Sequence, residues 1–181
     1  MKNHNLINGH GVSGDSGNLL PDGISFWPRP LTVNPTNFKH KSLSNWSANI
    51  AIGCQHACQF CYVPSVSTVK QAPLLRQFGV QNPDADWGDY LLLRHWDEKA
   101  FLASLRKAER TPLERLNPDG NRAVLLCSTT DPYQTLRHED PTVAKALNRH
   151  LQTMVRRSLE LIRDHSTLNV RILTRSPLAK R

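Results

Sequence analysis

The chain reads as an α/β domain built on parallel strands. Three observations predict it. Strand-sized segments occur at 48–52, 123–128 and 169–174. Helical spacing of apolar residues follows Asp97 and again follows Asp140, so a helix falls between each pair of segments. The order strand, helix, strand, helix, strand then implies a parallel sheet with right-handed crossovers.

The bulk properties bound the class. At 181 residues and 39% hydrophobic, the chain has the length of one domain and enough Leu, Ile and Val for a core. Its longest apolar runs, such as Leu91-Leu92-Leu93 and Val124-Leu125-Leu126, are far too short to cross a bilayer. Met1-Lys2-Asn3-His4-Asn5 leads into Gly, Asn, Ser and Asp rather than an apolar stretch, so no signal peptide is visible. With cysteines clustered as ligands, the expected compartment is a reducing cytoplasm. The net charge of +8 makes nucleic acid a natural partner class. From Lys145 to Arg181 nine basic residues face two acidic ones. A solvated helix face explains that bias as well as a nucleic-acid contact does.

Taken in order, residues 1–22 lack any hydrophobic period and are expected to be a disordered tail. Residues 23–47 mix Pro28, Pro30 and Pro35 with Phe26, Trp27, Phe38 and Trp46, which suits an irregular arm packing its aromatics on the domain. The core domain then runs from 48 to 181. Ala48 to Ile52 is expected as a short buried strand ending at Gly53. Residues 64–87, with Pro64, Pro73 and Pro83, suit a loop holding one short helix, and Leu91-Leu92-Leu93 suits a small strand. Asp97 caps a helix whose inner face is Phe101, Leu105 and Ala108, ending before Pro112. Asn117-Pro118-Asp119-Gly120-Asn121 is a turn by residue type. Ala123 to Ser128 is the strongest strand, apolar throughout as a strand buried on both faces is. Asp140-Pro141 opens a long helix with Leu147, Leu151, Met154, Leu161 and Ile162 on one face, and Asn169 to Thr174 is the last strand.

Chemistry concentrates in Gly53-Cys54-Gln55-His56-Ala57-Cys58-Gln59-Phe60-Cys61-Tyr62, a C-x3-C-x2-C pattern holding three of the four cysteines. Thiols this close do not readily bridge one another, and one would be left over. They can converge on a metal centre, since thiolate is a soft donor suited to zinc or to an iron-sulfur cluster. Structural zinc sites usually carry two separated ligand pairs, and no second Cys/His pair follows. A zinc-binding nucleic-acid module using Cys54, His56, Cys58 and Cys61 is the alternative.

The cysteine pattern followed by Tyr62, together with Thr130-Asp131-Pro132-Tyr133-Gln134 and Ile172-Leu173-Thr174-Arg175-Ser176, resembles radical S-adenosylmethionine (radical SAM) enzymes. Within them it looks like the branch related to spore photoproduct lyase. The resemblance covers residues 40 to 181. It implies the N-terminal portion of a partial (β/α) TIM-type barrel of about six parallel strands, against about eight in a complete one. Three strands with an open edge after Leu173 make an incomplete barrel, and an inactive fragment is a further alternative.

The resemblance also implies the site. Cys54, Cys58 and Cys61 would hold a [4Fe-4S] cluster, leaving one iron for S-adenosylmethionine, which is cleaved to a 5′-deoxyadenosyl radical for hydrogen abstraction. Tyr62, Thr130, Asp131 and Arg175 would bind S-adenosylmethionine, with Arg175 standing where related sequences carry lysine. His56 would order the loop. An electron donor such as flavodoxin or ferredoxin and a DNA substrate are the implied partners, and no membrane. Spore photoproduct lyase uses a cysteine near this strand end, but Cys127 lies one residue further from Asp131, and such a shift turns a strand residue to the other face. Cys127 is therefore expected to be a core thiol.

Overall fold

The apolar run expected as one strand from Ala48 to Ile52 is two. In the computed structural model, which describes residues 23–36 and 43–180, strand β3 (Trp46–Ala48) ends before Asn49 and β4 (Ala51–Gly53) begins after Ile50. The expected tail 1–22, Phe38 and Arg181 lie outside the described residues. The break has a visible cause. The Asn49 side-chain oxygen accepts from the Ser128 backbone N–H at 2.6 Å and from its hydroxyl at 3.1 Å.

The two halves join different sheets. β1 (Ile24–Phe26), β5 (Leu91–Leu93) and β4 form one, in the order β1-β5-β4, with β5 parallel to β1 and antiparallel to β4. β2 (Val33–Pro35), β3, β6 (Ala123–Leu126) and β7 (Asn169–Ile172) form the other in that order, with β2 antiparallel to β3 and the remaining pairs parallel. This corrects the expected barrel portion. A barrel joins all its strands in one tilted parallel ladder, whereas this α/β chain has two mixed sheets. The physical reason lies in the connections. Parallel neighbours need a crossover of a dozen or more residues, and the step from β3 to β4 is only Asn49-Ile50. The arm contributes as well, since β1 and β2 add one strand to each sheet.

The parallel part follows the expected rhythm. Helix α2 (Glu98–Glu109) leads to β6, and α3 (Pro141–His165) leads from β6 to β7. Asp97 caps α2 by accepting from the Ala100 N–H, and Asp140 caps α3 by accepting from Thr142 and Val143. Phe101, Leu105 and Ala108 of α2 and Leu147, Leu151, Met154, Leu161 and Ile162 of α3 are buried, as their spacing predicts. They pack with Trp46, Ala48, Val124 and Leu126 in the main core.

The three leucines of β5 show why a continuous apolar run sits there. Leu91 and Leu93 face the main core, while Leu92 faces a smaller one with Trp27, Ile52, Leu75, Val80 and Tyr90. That second core is closed by the 64–87 segment, whose helix α1 (Ala72–Leu75) contributes Leu75. Burial on both faces removes the need for polar alternation. Among the described residues no helix is long and apolar enough to cross a membrane.

Candidate metal and cofactor site

The cysteine loop leaves β4 at Gly53, whose φ of +91° belongs to glycine. A Cβ there would stand 2.2 Å from the Tyr90 carbonyl oxygen, so no side chain fits. On the far side of the loop, Ala57 lies against Gly88, where a Cβ would stand 2.6 Å from the Ala57 Cβ. The loop is thus seated between the end of β4 and the turn before β5.

Two glutamines fasten it to the neighbouring sheet. Gln134, buried after β6, accepts from the Gln55 backbone N–H at 2.9 Å and donates to the Thr130 hydroxyl at 2.6 Å. Gln55 in turn accepts from the Arg137 N–H at 2.8 Å. Asp131 ties the ends of β6 and β7 together: one carboxylate oxygen accepts from the Tyr133 N–H and the Thr174 hydroxyl, the other from the Arg175 N–H at 2.8 Å. The His56 ring stands 3.7 Å from the same carboxylate.

Every residue expected at the site lines one cavity of about 250 Å³: Cys54, Cys58, Cys61, Tyr62, Thr130, Asp131 and Arg175. Cys127 and Trp87 line it too, and sequence reasoning placed neither there. Cys127 packs into the main core as expected and also forms a wall of the cavity. The face argument did not reach it because β6 stops at Leu126, so strand alternation no longer governs the next residue. No sequence signal marks Trp87 or the glutamine clasp, apart from the place of Gln134 at the end of its motif.

The electrostatics vary around the cavity. The four cysteines are free thiols, Cys54 and Cys127 buried and Cys58 and Cys61 half-buried. Burial pushes Cys54 and Cys61 up from the ordinary thiol range. Burial pushes Cys127 furthest, up to about 12. Burial, with the nearby charge of Cys61, also raises the Tyr62 phenol. A hydrogen bond to Cys58, and the charge of that sulfur, push the Arg175 guanidinium up.

Among the described residues no three His, Cys, Asp or Glu side chains converge as a single metal ion requires. What the fold supplies is three thiols lining one space. That donor set fits an iron-sulfur cluster, which takes each cysteine on its own iron. Trp87, which lines the same cavity, has a buried indole N–H with no acceptor among the described residues.

No family model matches the chain, and no solved structure matches it. Among curated proteins it is similar to "Uncharacterized protein ORF301" of Acidianus two-tailed virus, at 34% identity over 141 residues, covering 77% of this chain and 40% of that protein. The chain therefore spans about two-fifths of the length of the curated relative it matches.

Proposed function

We propose that this chain is a radical SAM protein, holding a [4Fe-4S] cluster on Cys54, Cys58 and Cys61 and S-adenosylmethionine on the other residues of the same cavity. The observation that carries this reading is that the three cysteines share one cavity with Tyr62, Thr130, Asp131 and Arg175, residues drawn from three separate motifs. A cluster held by Cys54, Cys58 and Cys61 would supply, with an electron from a donor such as flavodoxin or ferredoxin, the one-electron reduction that splits S-adenosylmethionine into methionine and a 5′-deoxyadenosyl radical for hydrogen abstraction.

The protein's own groups then have distinct tasks. Arg175 places a fixed positive charge beside Cys58, where it offsets thiolate charge and can pair with a carboxylate. Asp131 is a positioning residue, holding the Arg175 backbone and the Thr174 hydroxyl. Gln134 orients the Thr130 hydroxyl toward its amide and leaves that oxygen's proton free to donate. Tyr62, 42% exposed, presents its ring at the cavity mouth. The net charge of +8 suits a nucleic-acid partner, and the resemblance to the spore photoproduct lyase branch implies a damaged pyrimidine in DNA as the substrate.

Anaerobic iron-sulfur reconstitution, followed by reduction with S-adenosylmethionine and an assay for 5′-deoxyadenosine, tests the reading. Product that disappears in Cys58→Ala supports it. Iron bound without product assigns the chain to an incomplete enzyme, and stoichiometric zinc with no iron overturns the proposal in favour of the zinc module.

A further inference from the structure

A second cavity, of about 330 Å³, adjoins the first, and His56 and Arg175 line both. Its other polar walls are Gln55, Thr135, Arg137 and Ser176. Among the described residues no aspartate or glutamate lines it. Asp131, which is outside this lining, already takes the Arg175 N–H and faces His56 at 3.7 Å.

Arg137 is held for a purpose its own side chain does not reveal. The Gln55 side chain accepts from the Arg137 N–H at 2.8 Å and donates to its carbonyl at 3.4 Å, so the main chain is clamped to the cysteine loop. Among the described residues its guanidinium has neither hydrogen bond nor ion pair. Arg137 and Arg175, the second also hydrogen-bonded to Cys58, therefore line one space, and among the described residues no aspartate or glutamate lines it with them. Such an arrangement favours a bound anion, because each planar fork delivers paired N–H donors to oxygen.

The number of donors selects the anion. A carboxylate has two oxygens, whereas a phosphate has oxygens enough for the Arg137 fork, a further donor of Arg175 and the hydroxyls of Thr135 and Ser176. We propose that this second cavity is a phosphate-binding subsite, taking the phosphate of a nucleotide or a nucleic-acid strand beside the cysteine cavity. The proposal stands on the side chains of this cavity and does not rest on the iron-sulfur reading.

The full chain is titrated calorimetrically at constant ionic strength with inorganic phosphate, with thymidine monophosphate and with a short oligothymidylate. Saturable binding is expected for wild type, weakened about tenfold or more in Arg137→Gln with an unchanged thermal midpoint. Arg137→Lys, which keeps the charge and loses the fork, falls between them. Arg106→Gln, which removes a charge from exposed α2 surface, binds as wild type does. Tightest binding of the oligonucleotide assigns the site to a nucleic-acid strand, and tighter binding of the small phosphates assigns it to a free nucleotide. No saturable binding by wild type, or equal loss in Arg106→Gln and Arg137→Gln, overturns the proposal.

Discussion

Cys127 is one residue past the end of a strand, and that single step decides its chemistry. Burial pushes its thiol up to about 12, so at pH 7 it keeps its proton. A group whose folded-state value is raised keeps its proton until the pH climbs through that value. In the metal-free chain, iodoacetamide is expected to label Cys58 and Cys61 first and Cys127 last. Mass spectrometry after timed quenching reads the order, and the Cys127 rate rises about tenfold per pH unit between pH 8 and 10. Prompt labelling of Cys127 at pH 8 would contradict its burial. At this scale the sequence was most informative where residues are neighbours in the chain. Cys54, Cys58 and Cys61 stand out by spacing alone, and Tyr62 by the resemblance that pattern carries. The orientation of Cys127 and the indole of Trp87 depend on where a strand stops and a turn folds back, which spacing does not encode.

Among the elements, the helices and the apolar strands β5 and β6 were legible, and the two strands of the arm were not. The apolar faces of α2 and α3 repeat over several turns, and Asp97 and Asp140 mark their starts. β1 and β2 span three residues each, too few for a period of two to show. The break between β3 and β4 was hidden for a different reason. Asn49 looks like one polar residue in an apolar run, yet its side chain replaces a ladder partner for Ser128. Asn49→Ala leaves that N–H without its acceptor and is expected to cost about 1–3 kcal/mol, whereas Asn49→Asp keeps an oxygen there. Urea unfolding of the two variants measures the difference, and equal midpoints for wild type and Asn49→Ala would refute it. The basic bias of α3 also resolves at this scale. Arg157 pairs with Glu98 and Glu160, Arg156 with Glu160 and Arg163 with Asp164, so much of that face is internally balanced. Arg171 turns instead to the carbonyls of Leu43 and Asp119.

For the whole molecule, the arrangement of strands was the least legible feature, because it depends on pairings between segments distant in sequence. Two parallel crossovers were visible, but nothing local distinguishes one sheet from two. The outer strand β7 pairs only with β6 among the described residues, and its Val170 and Ile172, with Leu173 just after it, are exposed. An apolar edge of this kind invites pairing with another chain. Sedimentation velocity is expected to show association that grows with concentration, reduced in Ile172→Lys. A monomer at all concentrations would remove the edge from consideration. The seam between the sheets has a consequence in time rather than in space. Thr129 reaches across to the Ala51 carbonyl at 2.7 Å, Ser128 to Asn49, and Gln55 to Gln134. Surface loops normally surrender their amide protons to deuterium within seconds, yet these backbone N–H groups, at Gln55 and Ser128, open only when the seam parts. They are expected to keep pace with the strands of the core, making two loop amides the slow clock by which separation of the sheets is read.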